Sequence, residues 1–586
     1  MNRCYCRCPA ASRGRFHPRG STPLVARRRP TAVAKPRRSI PAAGKQCADC
    51  VPSPHRLRAA ACIVSGCGQG LHRPRSASGA LPPRQGMVLL VVLVVIALLA
   101  LAALGFSEWM LSEREAAELS LRQVQARACA ESGLELARAF LSQDPQTQNE
   151  AGGWYDNPEQ FRGVLVRDGL LPRDRGRFSI VAPRQEDGRP NGIRFGLEDE
   201  SGRLNLNTLL LADRVQEGSA RQILLGLPGM TEEIADAILD WIDPDPEPRE
   251  FGAEAEYYAA LNPPYAPKNG PLETIEELLL VRGVTPQLLF GADANRNGMI
   301  DSNEPDPQTL LDVDNSDGSM NCGWAAYLTL WSLESNLRPD GTPRINLNQD
   351  DLETLFEQVK EVADDKVATY VVAWRQASQN DTSNQQPTTE LGELDFSRKS
   401  ARKFSTVLDL IGGKVRVRFK NENEDKVIES PFPNVPGLMN SYLPLLMDNM
   451  TTQTAQVLPG RININQAPRV VLAGIPGMTP ELVDEIIAQR EMDPAQAESH
   501  RKYETWLLSE GLVTLEEMKA LMPFICGSGR VYRAQVVGYF DQEGPDARFE
   551  AILDATKTRC RVLFWRDMTH LGRGYPREVL GVGSGG

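Results

Sequence analysis

The stretch GMVLLVVLVVIALLALAALGFSEW runs from Gly86 to Trp109, and its reading decides the fold. From Met87 to Phe106 there are twenty residues without a charge. At about 1.5 Å per residue that is a helix of roughly 30 Å, enough to cross the hydrocarbon core of a bilayer. Upstream of it, residues 1–86 hold seventeen Lys/Arg and a single acid, Asp49. The rest of the chain therefore carries about −27, against −11 overall. Positive charge ahead of a span keeps that end cytoplasmic, so the acidic remainder is expected to be exported.

The basic segment is rich in Pro, Arg, Ser and Ala and shows no hydrophobic period, so no packed core is expected there. It holds seven of the eleven cysteines, but only Cys47 and Cys50 have a ligand-like spacing and no second pair matches them. A removed leader, or a start codon placed upstream of the true one, accounts for this composition better than a zinc domain. Past the span only Cys129, Cys322, Cys526 and Cys560 remain, too few for a disulfide framework. Cys526 and Cys560 flank predicted strands and read either as a pair or as two buried thiols.

Apolar residues continue near helical spacing beyond the span, from Leu111 through Val124, Leu134 and Leu141, with charges largely between them. One helix is expected over 87–142, first in lipid and then packed on a domain, with Asp144-Pro145 ending it. Arg84, Gly86 and Met87, followed by a long helix carrying ACAESGLELARAFL, resemble the type IV pilin and type II secretion pseudopilin class. The resemblance implies cleavage after Gly86 by a prepilin peptidase and methylation of the new amine on Met87. Most of that class carries Glu at the fifth mature position, where this chain has Val91. A carboxylate at bilayer depth is costly unless paired. In the class it is thought to meet the amine of the subunit above, so its absence implies the tip subunit, the K component of type II secretion. An ordinary signal anchor would give Val91 no meaning.

An internal echo supports the same family. RLNLNTLL (203–210) returns as RINLNQDD (344–351) and RININQAP (461–468). LLGLPGMTEEIADAILDWID (224–243) is matched by LAGIPGMTPELVDEIIAQR (472–490). Such likeness marks duplicated small helical domains, with Thr231 and Thr479 as helix caps and acids in the first turns. The Pro-Gly turns also resemble helix-hairpin-helix DNA-binding modules. The helices behind them carry Glu232, Glu233, Asp236 and Asp240, and Glu481, Asp484 and Glu485, where a phosphate contact needs Lys or Arg, so no nucleic acid is expected. DWIDPDPEPREFGAEAEYYAALNPPYAPKNGPLETIEELLLVRGVT (240–285) closely resembles the first helical domain of the type II secretion protein K family.

DANRNGMIDSNE (293–304) fits a calcium loop. Asp293, Asn295 and Asn297 stand at positions 1, 3 and 5, Gly298 at the sharp turn, Met299 at the carbonyl position, Asp301 at 9 and a bidentate Glu304 at 12. Ile300 is the expected apolar anchor, and Pro305 and Pro307 argue for a stapled loop rather than an opening sensor. Asp312, Asp314 and Asp317 form a second acidic loop in poorer register. The family resemblance also implies calcium in the first helical domain, for which Asp243, Asp245, Glu254 and Glu256 are candidates, unless that acidic run is only a solvated face.

Alternation and β-formers predict strands at 177–183, 193–200, 531–540, 547–555 and 559–567, with a hairpin at 414–419 and 426–432. The expected fold is α+β: a transmembrane and stem helix on a pilin-like α/β domain, interrupted by duplicated small all-α domains of SAM-like or helix-hairpin-helix-like kind. The expected boundaries are 1–86 basic leader, 87–142 span and stem, 143–202 with 528–570 pilin-like domain, and 203–290 first helical domain. They continue with 291–343 calcium loop and connection, 344–460 insertion, 461–527 second helical domain and 571–586 flexible tail. No catalytic constellation is apparent, with only His500 and His570 beyond the span. The expected function is a non-enzymatic tip pseudopilin in the inner membrane with its C-terminal part periplasmic, partnered by I- and J-type minor pseudopilins and the major pseudopilin. The alternatives are a minor pilin of a type IV pilus and a membrane-anchored DNA receptor.

Overall fold

The structure is a computed structural model that describes residues 85–310, 313–381 and 385–582. The basic leader, apart from Gln85 and Gly86, lies outside the described residues, as does Asp312. One helix, Gln85–Leu141, contains the whole apolar stretch. Among the described residues it is the helix long and apolar enough to cross a membrane, with a best-window mean hydropathy of 3.4. It ends where Asp144 caps the next short helix, its Oδ1 accepting Thr147 N–H at 3.0 Å with Pro145 in the first turn.

The helix changes surroundings along its length. Large apolar side chains from Met87 to Val124 are exposed, whereas Ala126, Cys129, Ala130, Leu134, Ala137, Phe140 and Leu141 are buried at three- and four-residue steps. That stripe is dominated by small residues because helix backbone and sheet come into direct contact. A Cβ at Gly538 would lie 2.2 Å from the Ala126 carbonyl oxygen, and one at Gly133 would lie 2.7 Å from Phe178 and Val536.

The sheet beneath is antiparallel throughout and is built from both sides of the helical region. Gly176–Glu186 pairs with Val531–Phe540, placing Val536 opposite Ile180. Val164–Arg167 and Arg189–Phe195 flank the first of these strands, while Ala547–Asp554 and Arg561–Asp567 extend the sheet beyond the second. The short strand Glu198–Asp199 also joins Val531–Phe540. Here the chain enters and leaves the helical head, and the buried Asp199 ties the two crossings together. Its carboxylate accepts Ser201 N–H at 2.8 Å, Gly529 N–H at 2.7 Å and Asn463 Nδ2 at 2.9 Å.

The head has its own hydrophobic core, separate from the one between stem and sheet. The motif seen three times in the sequence builds the same frame each time. Leu204–Asn205, Ile345–Asn346 and Ile462–Asn463 each form a two-residue parallel pairing, with Leu328–Thr329, Met450–Thr451 and Ile525–Cys526. In each, the first Asn caps the N–H two residues on: Asn205 to Asn207, Asn346 to Asn348, Asn463 to Asn465. The second Asn then grips a later segment. Asn207 exchanges bonds with Leu272, Asn348 with Phe404, and Asn465 binds Arg501, Gly527 and Trp506. The helices that follow are capped by Thr231, Asp364 and Thr479.

Residues 344–460, read from sequence as an insertion, thus carry a copy of the frame of their own, the second of three in chain order, with the hairpin Lys414–Val417 and Lys426–Glu429 added to it. The first and third copies dock at equivalent glycines. A Cβ at Gly226 would lie 2.6 Å from Gly474 Cα, and one at Gly474 the same distance from the Ile223 carbonyl. The first Pro-Gly turn is packed inward, with Val313 against Gly229 and Trp324 Nε1 donating to the Pro228 carbonyl at 2.8 Å.

Two sequence expectations are corrected. Residues 571–582 are docked rather than a flexible tail, because Tyr575 and Leu580 are buried and the Leu580 carbonyl accepts from Ser179 Oγ at 3.0 Å. Cys526 and Cys560 do not pair; both are free buried thiols, Cys560 in the sheet core, and burial pushes both thiols up.

The contact at Gly538 gives a direct test. Gly538→Ala is expected to force the stem off the sheet and cost about 1–3 kcal/mol as an overpacked site, read as a lowered thermal transition. An unchanged transition would refute the close approach.

Candidate functional site

The 293–304 loop folds around its first acid. Asp293 is buried, and its Oδ1 and Oδ2 accept Asn297 N–H at 3.0 Å and Gly298 N–H at 2.8 Å. Gly298 takes φ +78°, which an L side chain rarely adopts. Glu304 closes the other end, its two oxygens accepting Asn295 N–H at 3.1 Å and Asp301 N–H at 2.9 Å. Asn295 and Asn297 both donate their side-chain amides to Asp301 Oδ2, at 2.7 and 2.9 Å. Asn295 Oδ1 is buried with no hydrogen-bond partner.

No cluster of three or more His, Cys, Asp or Glu poised on one point occurs among the described residues. The acids here are instead satisfied by backbone N–H groups and by two amide donors. The donor set still fits a hard cation. It is all oxygen, it is wrapped by a positive-φ glycine, and turning the Asn295 amide would direct its oxygen inward and give Oδ1 the partner it lacks. Burial pushes the Asp293 carboxyl up, more than its backbone hydrogen bonds pull it down. The apolar anchor is corrected: Met299 packs on the sheet core, whereas Ile300 is exposed, because the loop approaches the sheet with its other face.

What holds the loop was not readable from spacing. Arg548, fully buried on the strand Ala547–Asp554, donates Nη1 to the Asn295 carbonyl at 2.8 Å and Nη2 to the Arg296 carbonyl. Gln535 Nε2 reaches the Arg296 carbonyl at 3.3 Å, and Tyr575 O–H reaches the Asn297 carbonyl at 2.9 Å. A chain of ion pairs runs alongside. Arg533 binds Glu200 at 2.6 Å and Glu550 at 3.3 Å, Arg566 joins Glu550 at 3.0 Å and also Glu276, and Arg296 returns to Glu276 at 2.6 Å. The loop therefore sits at the joint between head and sheet, fixed by main-chain carbonyls on strand side chains.

The other acids divide. Asp243 and Glu254 are buried together with Asp240, and Arg249 bridges Asp240 at 2.8 Å and also Asp243. Asn269 Nδ2 binds the Asp245 carbonyl at 3.0 Å and Glu254 at 3.4 Å. Asp243 Oδ1, Glu254 Oε1 and Asn269 Oδ1 have no hydrogen-bond partner. Burial pushes the Glu254 carboxyl up, and the charges of Asp240 and Asp243 add to it. The side chains of Asp245 and Glu256 are exposed and stand outside this group. In the second acidic loop Asp314 and Asp317 turn back onto Ser316 and Ser319 N–H, with Arg189 3.7 Å from Asp317. Asp240, Arg249 and Asn269 were not singled out as site residues from sequence.

A membrane-length helix that continues into a docking helix on an antiparallel sheet, under a helical head, is the build expected of a pseudopilin. The family model for type II secretion system protein K matches residues 202–290. Type II secretion system protein K of Klebsiella pneumoniae is 27% identical over 240 residues, covering 39% of this chain and 69% of that protein. The Pseudomonas aeruginosa protein K is 38% identical over 97 residues, covering 15% of this chain and 29% of that one. The solved GspK–GspI–GspJ complex from enterotoxigenic Escherichia coli is similar at a TM-score of 0.29 and 13% identity, over 78% of this chain and 99% of that chain. The chain is thus similar to the type II secretion system protein K family, by its model over residues 202–290 and by its relatives over as much as 39% of this chain.

The ion-pair chain predicts a pH response. Burial pushes the Glu550 carboxyl up, but Arg533, Arg566 and Arg203 outweigh it and hold it below the usual range. A depressed carboxyl stabilises the fold above its unfolded pKa of about 4.3 and loses that contribution as pH falls through the folded value. Acid melts should therefore show the head–sheet joint loosening below that range. Glu550→Gln should flatten the slope; an unaltered slope would remove Glu550 from the account.

Proposed function

We propose that this chain is the tip subunit of a type II secretion pseudopilus, nucleating its assembly with other minor pseudopilins for export of folded proteins across the outer membrane. The observation that carries the reading is the single helix Gln85–Leu141. It has a membrane-length apolar half with Val91 where a neighbour's amine would need an acid, and a second half locked onto the sheet of a bulky head. A head with three copies of a helical frame suits the end of a stack rather than its interior. In the solved complex GspK is assembled with GspI and GspJ, and the same two kinds of subunit are the partners proposed here, together with the major pseudopilin.

On this reading the helix is a single inner-membrane span before assembly, with the remainder periplasmic. A prepilin peptidase cuts between Gly86 and Met87, and the new amine is methylated. Mass spectrometry of the mature N-terminus tests this, with an N-methylated Met87 expected. A mature chain retaining residues ahead of Gly86 would overturn the processing and, with it, the pseudopilin role.

The loop is proposed as a calcium site held by Asp293, Asn295, Asn297, the Met299 carbonyl, Asp301 and Glu304. The ion would offset two of the three carboxylate charges and stiffen the head–sheet joint, and an extracytoplasmic site binding at about 0.1–1 mM could be occupied. Asp243 and Glu254, with Asn269, form a second proposed calcium position, supported by their three partnerless oxygens. Chelation is expected to lower the melting transition by several degrees, and Asp293→Ala to lose most of that response. A transition indifferent to chelator would reject both positions.

A further inference from the structure

The three arginines that open the repeated motif have unequal surroundings. Arg203 lays Nε and Nη2 on Glu198, both at 2.8 Å, and donates Nη1 to the Ala325 carbonyl. Arg461 binds Glu334 at 3.0 and 2.6 Å, and its Nη1 reaches Glu504 at 3.2 Å and the Met522 carbonyl at 2.7 Å. Arg344, at the same place in the second copy, forms no ion pair among the described residues, and its Nε is buried without a hydrogen-bond partner. Glu504 and Asp448 lie near enough to act on its charge, but Arg461 holds Glu504 and Lys502 stands 3.4 Å from Asp448. Arg344 is half-buried, with its Nε shut off from water and its two Nη atoms left without a protein acceptor among the described residues, so this position invites a counter-charge from outside.

Arg344 lines a cavity of about 520 Å³ where the three copies meet. Its walls are mainly apolar: Leu204, Leu209 and Ile223 from the first copy, Met447 and Met450 from the second, and Phe524 from the third. The volume lies within the usual range for small-molecule sites, and methionines let such a wall adapt to its occupant. At the Arg344 end Asn336 is buried, with its carbonyl 3.4 Å from Arg344 N–H and its Oδ1 unpartnered. A peptide threaded here would bring N–H groups that apolar walls cannot satisfy. An alkyl chain brings none.

We propose that the cavity binds a single-chain alkyl carboxylate, a free fatty acid, with its carboxylate on Arg344 and its chain along the apolar walls. The acid missing from the second copy is then supplied by the ligand, in the place Glu198 takes at Arg203 and Glu334 takes at Arg461. Charge-assisted, forked pairing with a guanidinium gives the head-group selectivity, and each buried methylene adds to affinity.

The test is photolabelling of the full chain, held in a detergent-free amphipathic polymer, with a diazirine-bearing dodecanoate. Crosslinks are then mapped by peptide mass spectrometry. Labelling is expected on residues 204–223 and 447–453, displaced by dodecanoate but not by dodecanol. Arg344→Gln should weaken it about tenfold, the usual scale for losing a charge-assisted bond. Ala212→Trp, which fills the cavity and leaves Arg344 in place, should also abolish labelling, and it decides the matter if Arg344→Gln does not fold. Crosslinks confined to residues 87–124, equal displacement by dodecanol, or full labelling of the filled variant would overturn the proposal. So would displacement by a short peptide ending in a leucine carboxylate but not by dodecanoate, which would identify a peptide terminus as the occupant.

Discussion

The head depends on the buried carboxylate of Asp199. The chain leaves the sheet at Glu198–Asp199 and returns to it at Val531–Phe540, and these segments must lie one strand spacing apart, about 4.8 Å. Asp199 enforces that by accepting from the outgoing chain at Ser201, the returning chain at Gly529 and the third copy of the frame at Asn463. A Cβ at Gly529 would sit 2.4 Å from its Oδ1, so the return has to be glycine. Burial pushes this carboxyl up, and the three N–H donors work against that push. Everything between the two crossings is a closed excursion from one sheet. The head can therefore be large without disturbing the strand register that the stem helix needs.

The stem solves a different problem with one continuous helix. Its first half presents apolar side chains over a membrane-length stretch, and its second half must come so close to a sheet that backbone touches backbone. Long apolar residues serve the first need, and Ala126, Ala130, Gly133 and Ala137 serve the second. Both were visible in the sequence as a change from uninterrupted apolar character to a helical period. The strands were visible as runs of β-formers, although Val531–Phe540 and Ala547–Asp554 are buried on both faces and do not alternate. That 177–183 and 531–540 belong to one sheet was legible too, but their direct pairing was not.

What escaped the sequence has equally physical causes. The second copy of the frame lacks the Pro-Gly turn and carries a hairpin, so of the identities that advertised the other two only the opening RINLN (344–348) is left. Its frame survives in the hydrogen bonds of Asn346 and Asn348, which need only two asparagines and main-chain partners. The docking of residues 571–582 rests on Tyr575 and Leu580, too few apolar residues to form a period. The hold on the 293–304 loop comes from Arg548, Gln535 and Tyr575 binding main-chain carbonyls, and a carbonyl carries no residue identity to read. The loop's own ligand pattern was legible because side chains at fixed offsets form it.

The position of that loop connects the two halves. Arg548 and Arg566 reach from the sheet to the loop and to Glu276 of the head, so the joint is cationic on one side and anionic on the other. Such buried pairs are poor sources of net stability but strong constraints on geometry, because any displacement strands a charge. A cation among Asp293, Asp301 and Glu304 would act in the same sense, drawing the loop's acids onto one point while the strand arginines hold its carbonyls. The head would then be rigid with respect to the stem, so that a push delivered along the helix reaches the head without being lost in a hinge.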